Sequence, residues 1–418
     1  MRKRFGRTAA VIAVAGGLLV GLTVPAQATE TSHGQHNDGG SFIEHDRDHW
    51  NHGHHDWHKP DAGPTVIANG LNNPRQLSLP LNAALLIAEA GKGGPACQGS
   101  GQNEMCAGST GSVSVRFLPQ RDGPRLQFRI VKGLFSGAGP DGSFAVGSDG
   151  VSHRVGGPLF VQETYAPPDV LPAPLGAQAG QLLVARPWGS VRPFANISAY
   201  EIAHDPDSQG VDSNPYAVLA LEDRVLVADA AANTVFSVNR DGEVSVFHVF
   251  PNIVNNVTTT ATANWPGYDP TPAFPGANFV PTSLAADEHG DIYVGGLASE
   301  LPGQAQVVRL DGDSGKVEKT WTGFTTITGV AVGRDDSLYV SQLFAPQAAP
   351  IDPMVNGVLT KVSSEGTRTN KDVPFPAGVA VDSWNNVYVA AFSVAPDTGL
   401  VGAPPGVDTS GQVWRLRF

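Results

Sequence analysis

Three acids occupy one slot in a recurring apolar run. Glu89 lies in LLIAEA (85–90), Glu163 in LFVQET (159–164) and Asp229 in VLVADA (225–230), each at the fifth position. The same slot holds Gly296 in IYVGGL, Gln342 in LYVSQL and Ala391 in VYVAAF. The segments preceding the first three runs carry Arg75, Asp149 and Asn214 near their starts. Arg75, Glu89, Asp149, Glu163, Asn214 and Asp229 therefore make a candidate polar cluster on one central face. Hard oxygen donors of this kind suit a divalent cation such as calcium. A carboxylate among them equally suits a polar substrate or the work of a general base. An acid at a turn also bonds backbone amides of that turn, and Asp229-Ala-Ala-Ala-Asn233 fits such a use. Both readings stand on the sequence.

Two further groups of residues carry potential chemistry. Eight of the twelve histidines fall within residues 29–64. There, NHGHHDWH (51–58) sets His52, His54, His55 and His58 at spacings that chelate zinc, copper or nickel. Such a site is weak, because an unfolded segment loses entropy on ordering around the ion; a solvated polar spacer is the other reading. The two cysteines, Cys97 and Cys106, sit in one Gly-rich loop, CQGSGQNEMC. In an exported chain this pair reads as a local disulfide. The alternatives are two free thiols or a metal pair, and two thiolates without a nearby His make a poor zinc set. No Ser/His/Asp order, HExxH, P-loop or paired CxxC stands out. His153, His204, His248 and His289 are scattered and read as structural or solvated.

The elements that position these residues are strands. Residues 211–250 show apolar runs or alternation over five or six positions, the period of strands rather than of a helix. The runs are divided by turn signals such as Asn-Arg-Asp-Gly (239–242). Four antiparallel strands in about forty residues make one propeller blade. Aligned on the second strand, the unit recurs six times along the chain. The sequence therefore predicts an all-β, six-bladed β-propeller, since a lone blade cannot bury both of its faces. The chain stops at a third strand, 413–418, and TVIANGL (65–71) has no blade of its own. Residues 65–71 are expected to supply the missing strand of the last blade and so remove an open edge.

Outside the repeats, residues 1–28 have a basic start, an apolar stretch and a small-residue end, Ala26-Gln27-Ala28. That is the pattern of a secretory signal peptide, so the chain is expected to be secreted or otherwise extracytoplasmic. A retained anchor is the alternative, although the apolar stretch is short, and no later segment has the length to span a bilayer. Removing the signal takes away four positive charges and moves the net charge from −12 to −16. So acidic a surface repels phosphate backbones and excludes nucleic acid as a partner. Residues 29–64, with few apolar side chains, read as a disordered leader, and residues 65–418 as a single propeller domain.

Loop lengths distinguish the two faces. Connections between first and second strands are short, whereas 91–111, 165–180, 344–357 and 393–411, between second and third strands, are long. So is the inter-blade insert 251–280, which reads as a lid over the central opening or as an ordered surface loop. In an up-and-down blade these long connections open on the same face. That face is expected to bind a protein partner or a small molecule.

Several stretches resemble a known family. GLNNPRQLSL, LLIAEAGKGG with its CxxxxxxxxC loop, AYEIAHDPDSQGVDSNPYAVLAL and VPTSLAADEHGDIYVG are similar to the ScyD/ScyE family. The resemblance spans roughly residues 65–418 and implies an exported β-propeller; it carries no catalytic residue over. More distantly, VADAAANTVFSVNRDG is similar to NHL repeats and to gluconolactonase-like propellers. The latter resemblance implies lactone hydrolysis with a divalent metal held by Glu, Asn and Asp, types matched here by Glu89, Asn214 and Asp229. The fuller motifs of that family are absent.

Overall fold

The computed structural model describes residues 63–418 apart from 102–103, 119–125, 155, 168–170, 172, 174, 252, 254–276, 345–356, 401–402 and 404. The expected signal segment, the leader with His52, His54, His55 and His58, and most of the insert 251–280 lie outside the described residues.

The short apolar runs fold as antiparallel strands that follow one another in chain order. After β1 (Thr65–Leu71) come β2 (Pro74–Ser78), β3 (Ala84–Glu89), β4 (Ala96–Gln98), β5 (Met105–Phe117) and β6 (Gln127–Ala138). Next are β7 (Val146–His153), β8 (Leu159–Glu163), β9 (Gln181–Ala185), β10 (Val191–Asn196) and one helix, α1 (Ile197–His204). Then follow β11 (Pro215–Ala220), β12 (Val225–Asp229), β13 (Thr234–Val238) and β14 (Val244–Val249). The next group is β15 (Pro281–Ala286), β16 (Ile292–Gly296), β17 (Ala305–Leu310) and β18 (Val317–Phe324). After it run β19 (Ile327–Val332), β20 (Leu338–Gln342), β21 (Gly357–Val362) and β22 (Arg368–Val373). The chain ends with β23 (Val379–Val381), β24 (Val387–Ala391) and β25 (Gly411–Leu416).

Each of β11–β14, β15–β18 and β19–β22 forms a four-stranded sheet in simple succession, and a fourth sheet has the order β1-β25-β24-β23. The fold is an all-β propeller with four separate four-stranded blades, not the six expected from the repeat count. The first two repeats instead share one nine-stranded sheet, of order β10-β9-β8-β7-β6-β5-β3-β2 with β4 on β5. The cause is local. β5 and β6 run to 13 and 12 residues, long for a blade, and β6 reaches β7, pairing Ser136 with Gly147 and Gly137 with Val146. Glycine is required at that seam: a Cβ on Gly147 would sit 2.2 Å from the Phe135 carbonyl oxygen.

As expected, β1 closes the ring by pairing antiparallel with β25, Thr65 opposite Arg415 and Leu71 opposite Gly411. Ala68 and Leu71 are buried there, while Thr65, Val66, Asn69 and Gly70 face out. The second strands of the repeats, β8, β12, β16, β20 and β24, are buried at every position. Sheets packed face to face cover them on both sides, which explains apolar runs where a one-sided strand would alternate. The first strands, β2, β7, β11, β15, β19 and β23, contact one another in that order, and β23 contacts β2 again. At this last contact Gly378 donates its N–H to the Arg75 carbonyl at 3.2 Å, and a Cβ on it would lie 2.5 Å from that oxygen. Among the described residues no helix is long and apolar enough to cross a membrane.

Truncating Leu71 to Ala is expected to cost roughly 2–5 kcal/mol. Deleting residues 65–71 is expected to lower the melting temperature further, because it also leaves β25 as a bare edge. Thermal melts of the two variants check both; an unchanged melt after the deletion removes the closure role of β1.

Candidate functional site

A repeated irregularity positions the polar groups at the axis. In five first strands the pairing with the second strand slips just after the first paired residue: Pro74/Leu77, Ser148/Gly150, Pro215/Ala217, Pro281/Ser283 and Ile327/Gly329. A bulge of this type leaves a residue out of the ladder and re-aims its side chain. The residues concerned are Arg75 with Gln76, Asp149, Tyr216, Thr282 and Thr328. Each of the two Thr residues bonds the following repeat, Thr282 Oγ1 donating to the Ile327 carbonyl at 2.6 Å and Thr328 Oγ1 to the Pro376 carbonyl at 2.8 Å. Gln76 ties β2 to β11, donating to the Val218 carbonyl at 2.7 Å and accepting from the Val218 N–H at 3.0 Å.

The six predicted residues divide into three groups. Arg75, Asp149 and Glu163 come together in the interior. Arg75 Nε lies 3.4 Å from Asp149 Oδ1, and its Nη2 donates to the Ala145 carbonyl. Glu163 Oε1 accepts from Ser148 Oγ at 2.7 Å, while Oε2 is buried without a hydrogen-bond partner. Asp149 and Glu163 are both 0% exposed. Burial pushes the Asp149 carboxyl up to about 7, against the pull of the Arg75 guanidinium. Burial also holds Glu163 well above the usual carboxylate range; the Ser148 hydrogen bond opposes this and the Asp149 charge adds to it.

Glu89 does not join that group. It bonds within its own repeat, with Oε2 accepting from Arg129 Nη2 of β6 at 2.7 Å and from the Asn72 N–H at 2.7 Å. Its Oε1 accepts from Ser114 Oγ at 2.6 Å and Arg129 Nε at 3.1 Å. Asp229 serves its own turn, accepting from Ser213 Oγ (2.6 Å), Asn214 N (2.6 Å), Ala231 N and Ala232 N (both 3.2 Å). Burial lifts its carboxyl to about 6 despite these donors. Asn214 Oδ1 accepts from Thr164 Oγ1 at 2.5 Å. Glu89 thus stands apart from Asn214 and Asp229, which are linked only through the Asn214 N–H, and the three do not form a common ligand set.

Asn214 and Thr164 line an open pocket of about 100 Å³. Its other walls are mostly apolar, including Met105, Phe135, Val146, Tyr165 and Leu171. The predicted disulfide is present between Cys97 and Cys106, which face each other across β4 and β5. Ala96, Gln98, Met105 and Ala107, the residues flanking the two cysteines, make one side of the pocket. The pocket therefore sits among the long connections 91–111 and 165–180, on the elaborated face.

Two residues escaped the reading of the sequence. Tyr216, not Asn214, occupies the slot of Arg75 and Asp149; its hydroxyl is pushed up to about 12 by burial, with Arg75 opposing and Asp149 adding. Aligning the first strands on their bulges rather than on their starts would have found it. Glu201, on α1, is 0% exposed, and its signal was the acidic loop that follows it.

Neither a known family nor a curated protein matches the sequence. Among solved structures, a streptogramin B lyase is similar at 8% identity, over 85% of this chain and 97% of that one, with a TM-score of 0.46. A luciferin-regenerating enzyme is similar at 10% identity, over 85% and 95%, with a TM-score of 0.46. A putative gluconolactonase is similar at 11% identity, over 85% and 93%, with a TM-score of 0.43. The propeller fold stands on the strand order and closed ring described above.

Asp149 and Glu163 make stability depend on pH. Near pH 2 both acids are largely protonated whether the chain is folded or unfolded. As the pH rises further, the unfolded chain releases these protons before the folded one, so this contribution to stability falls up to and beyond pH 7. Glu163→Gln, whose amide oxygen still accepts from Ser148, is expected to melt higher than wild type at pH 8 and to differ little at pH 4. Melts across that range check it; a lower melt at pH 8 contradicts the buried neutral acid.

Proposed function

We propose that this chain is an exported ScyD/ScyE-type propeller that binds a small molecule on its elaborated face. The pocket walled by the disulfide hairpin is the observation that carries the reading. An apolar cleft with a few convergent polar groups is the usual form of a small-molecule site. Met105, Phe135, Tyr165 and Leu171 suit an apolar or aromatic body, and Asn214 and Thr164 suit one or two polar substituents. The alternative, a metal-dependent gluconolactonase-like hydrolase, needs oxygen ligands that converge. Glu89 is committed to Arg129 and Ser114, and Asp229 to its own turn; this favours binding over hydrolysis. Asp149 and Glu163 are 0% exposed, which also supports a structural use for them. The acidic surface and the secretory pattern of residues 1–28 support work outside the cytoplasm.

Nile red, a neutral apolar dye, serves as the probe. Saturable binding with blue-shifted emission is expected, and Leu171→Asp is expected to weaken it about tenfold or more, since one buried Leu is worth about 1.5–3 kcal/mol. Dye binding that does not saturate, or that Leu171→Asp leaves unchanged, overturns the reading. A Cys97→Ser, Cys106→Ser double variant is expected to lose dye affinity as well. Its melt should fall by only a few degrees, because a loop this short constrains the unfolded chain by about 2–3 kcal/mol in a large domain. Parallel dye titrations and melts separate the two effects.

A further inference from the structure

Between β10 and β11 the chain folds into α1 and then a tight acidic loop, Asp-Pro-Asp-Ser-Gln-Gly-Val-Asp, residues 205–212. Asn196 caps α1 by accepting from the Ala199 N–H at 2.9 Å. Asp205 ends the helix in the left-handed region (φ 42), its N–H donating to the Glu201 carbonyl. This reversal carries the loop back against the last turn of α1. One carboxylate oxygen from each of Glu201, Asp205 and Asp207 then lies within 4.8 Å of the others.

The arrangement has no internal balance. Glu201 is 0% exposed, yet neither of its carboxylate oxygens has a hydrogen-bond partner. Gln209 Oε1, in the same loop, is also buried without one. Among the described residues no Lys, Arg or His forms an ion pair with Glu201, Asp205, Asp207 or Asp212. Burial, with the charges of Asp229, Asp207, Asp205 and Asp212 adding to it, pushes the Glu201 carboxyl up to about 8. A buried carboxyl stays protonated, pairs with a cationic side chain or coordinates a metal, and a cation is the one partner that would satisfy Glu201 together with the two aspartates beside it.

We infer that Glu201, Asp205 and Asp207, with Gln209, form a calcium-binding site. The donors are all oxygens, the set that hard cations take, and none is an imidazole or thiolate of the kind transition metals prefer. The spacing is also that of a calcium loop. Asp205, Asp207 and Gln209 stand at the first, third and fifth places, and Gly210 (φ 115) makes the sharp turn at the sixth. Glu201 supplies from the preceding helix the carboxylate that such loops otherwise take from their far end. The loop is already shaped: Asp207 Oδ1 accepts from the Gln209 N–H at 3.0 Å, Asp205 Oδ1 from the Gly210 N–H at 3.3 Å. Asn233 Nδ2 holds Asp207 Oδ2 at 2.9 Å. Each of these oxygens keeps a lone pair for the ion. Beyond the loop, Ser213 and Asn214 lead straight into the pocket wall, so the ion would anchor that wall to α1.

Calorimetric titration of the EDTA-stripped mature protein with calcium chloride tests the site. A single calcium per chain is expected, together with a higher melting temperature in calcium than in EDTA. The histidines of the leader take transition metals rather than calcium, so they do not enter this measurement. Glu201→Gln is expected to lose about tenfold or more in calcium affinity, and Asp205→Asn to lose affinity as well, because ligand charge sets the dissociation constant. In EDTA, Glu201→Gln is expected to melt no lower than wild type, since it removes an unpaired buried carboxyl. Absence of calcium uptake at millimolar calcium overturns the site, as does uptake that both variants leave unchanged.

Discussion

Everything in this fold depends on one antiparallel pairing between the ends of the domain, β1 against β25. Each repeat has two apolar faces and can cover neither alone, so the repeats are stable only as a closed circle. The circle is joined by seven residues whose ladder slips twice, between Val66 and Ala68 and between Ala68 and Leu71. Those slips let Ala68 and Leu71 turn inward while the strand follows the curvature of its partner. Where the first and last repeats meet at the axis, Gly378 permits a backbone approach that any side chain would block. Closure therefore rests on a strand at the rim and a glycine at the centre.

The axis is held by a second device, a bulge placed at the same point of five first strands. In an ordinary ladder these residues would alternate between the two faces of a sheet and meet only their own blade. Bulging turns them toward neighbouring repeats, so Thr282 bonds the strand carrying Ile327 and Thr328 bonds the carbonyl of Pro376. In the first repeats the same place is taken by an ion pair, Arg75 with Asp149. A buried ion pair is weak evidence for stability. Its geometry instead fixes how the first strand stands against the β7 strand, next to Glu163 and below the pocket wall formed by Val146 and Thr164.

The strand pattern was legible because each second strand is covered on both faces, and continuous apolar runs such as VLVADA are the direct imprint of that burial. The closing strand was legible because the chain ends on a third strand. The number of separate blades was not: it turns on β6 reaching β7 through Gly137 and Gly147, and repeat spacing carries no trace of such a seam. The acidic column Glu89, Glu163 and Asp229 was legible as a position and not as a site. Partners decide its chemistry, and Arg129 lies forty residues from Glu89, a distance across which sequence pattern is silent. Tyr216 was missed because a bulge shifts which residue faces the axis. The acidic loop 205–212 was visible all along, but only the fold brings Glu201 to it and strips that residue of every partner.

The fused sheet has one more consequence. Gly137 and Val146, a bonded pair at the seam between β6 and β7, both line the pocket. In a propeller whose repeats meet only through side chains, a cleft at such a junction widens and narrows as the blades rock. Here continuous main-chain hydrogen bonding runs beneath it, and the disulfide fixes the opposite side. Under the proposed binding role, these two sides would leave an incoming molecule little conformational entropy to remove, a preorganised arrangement. Discrimination would then fall to shape: a body that matches the seam and the disulfide hairpin would gain their full contact, and one that does not would find neither side ready to yield.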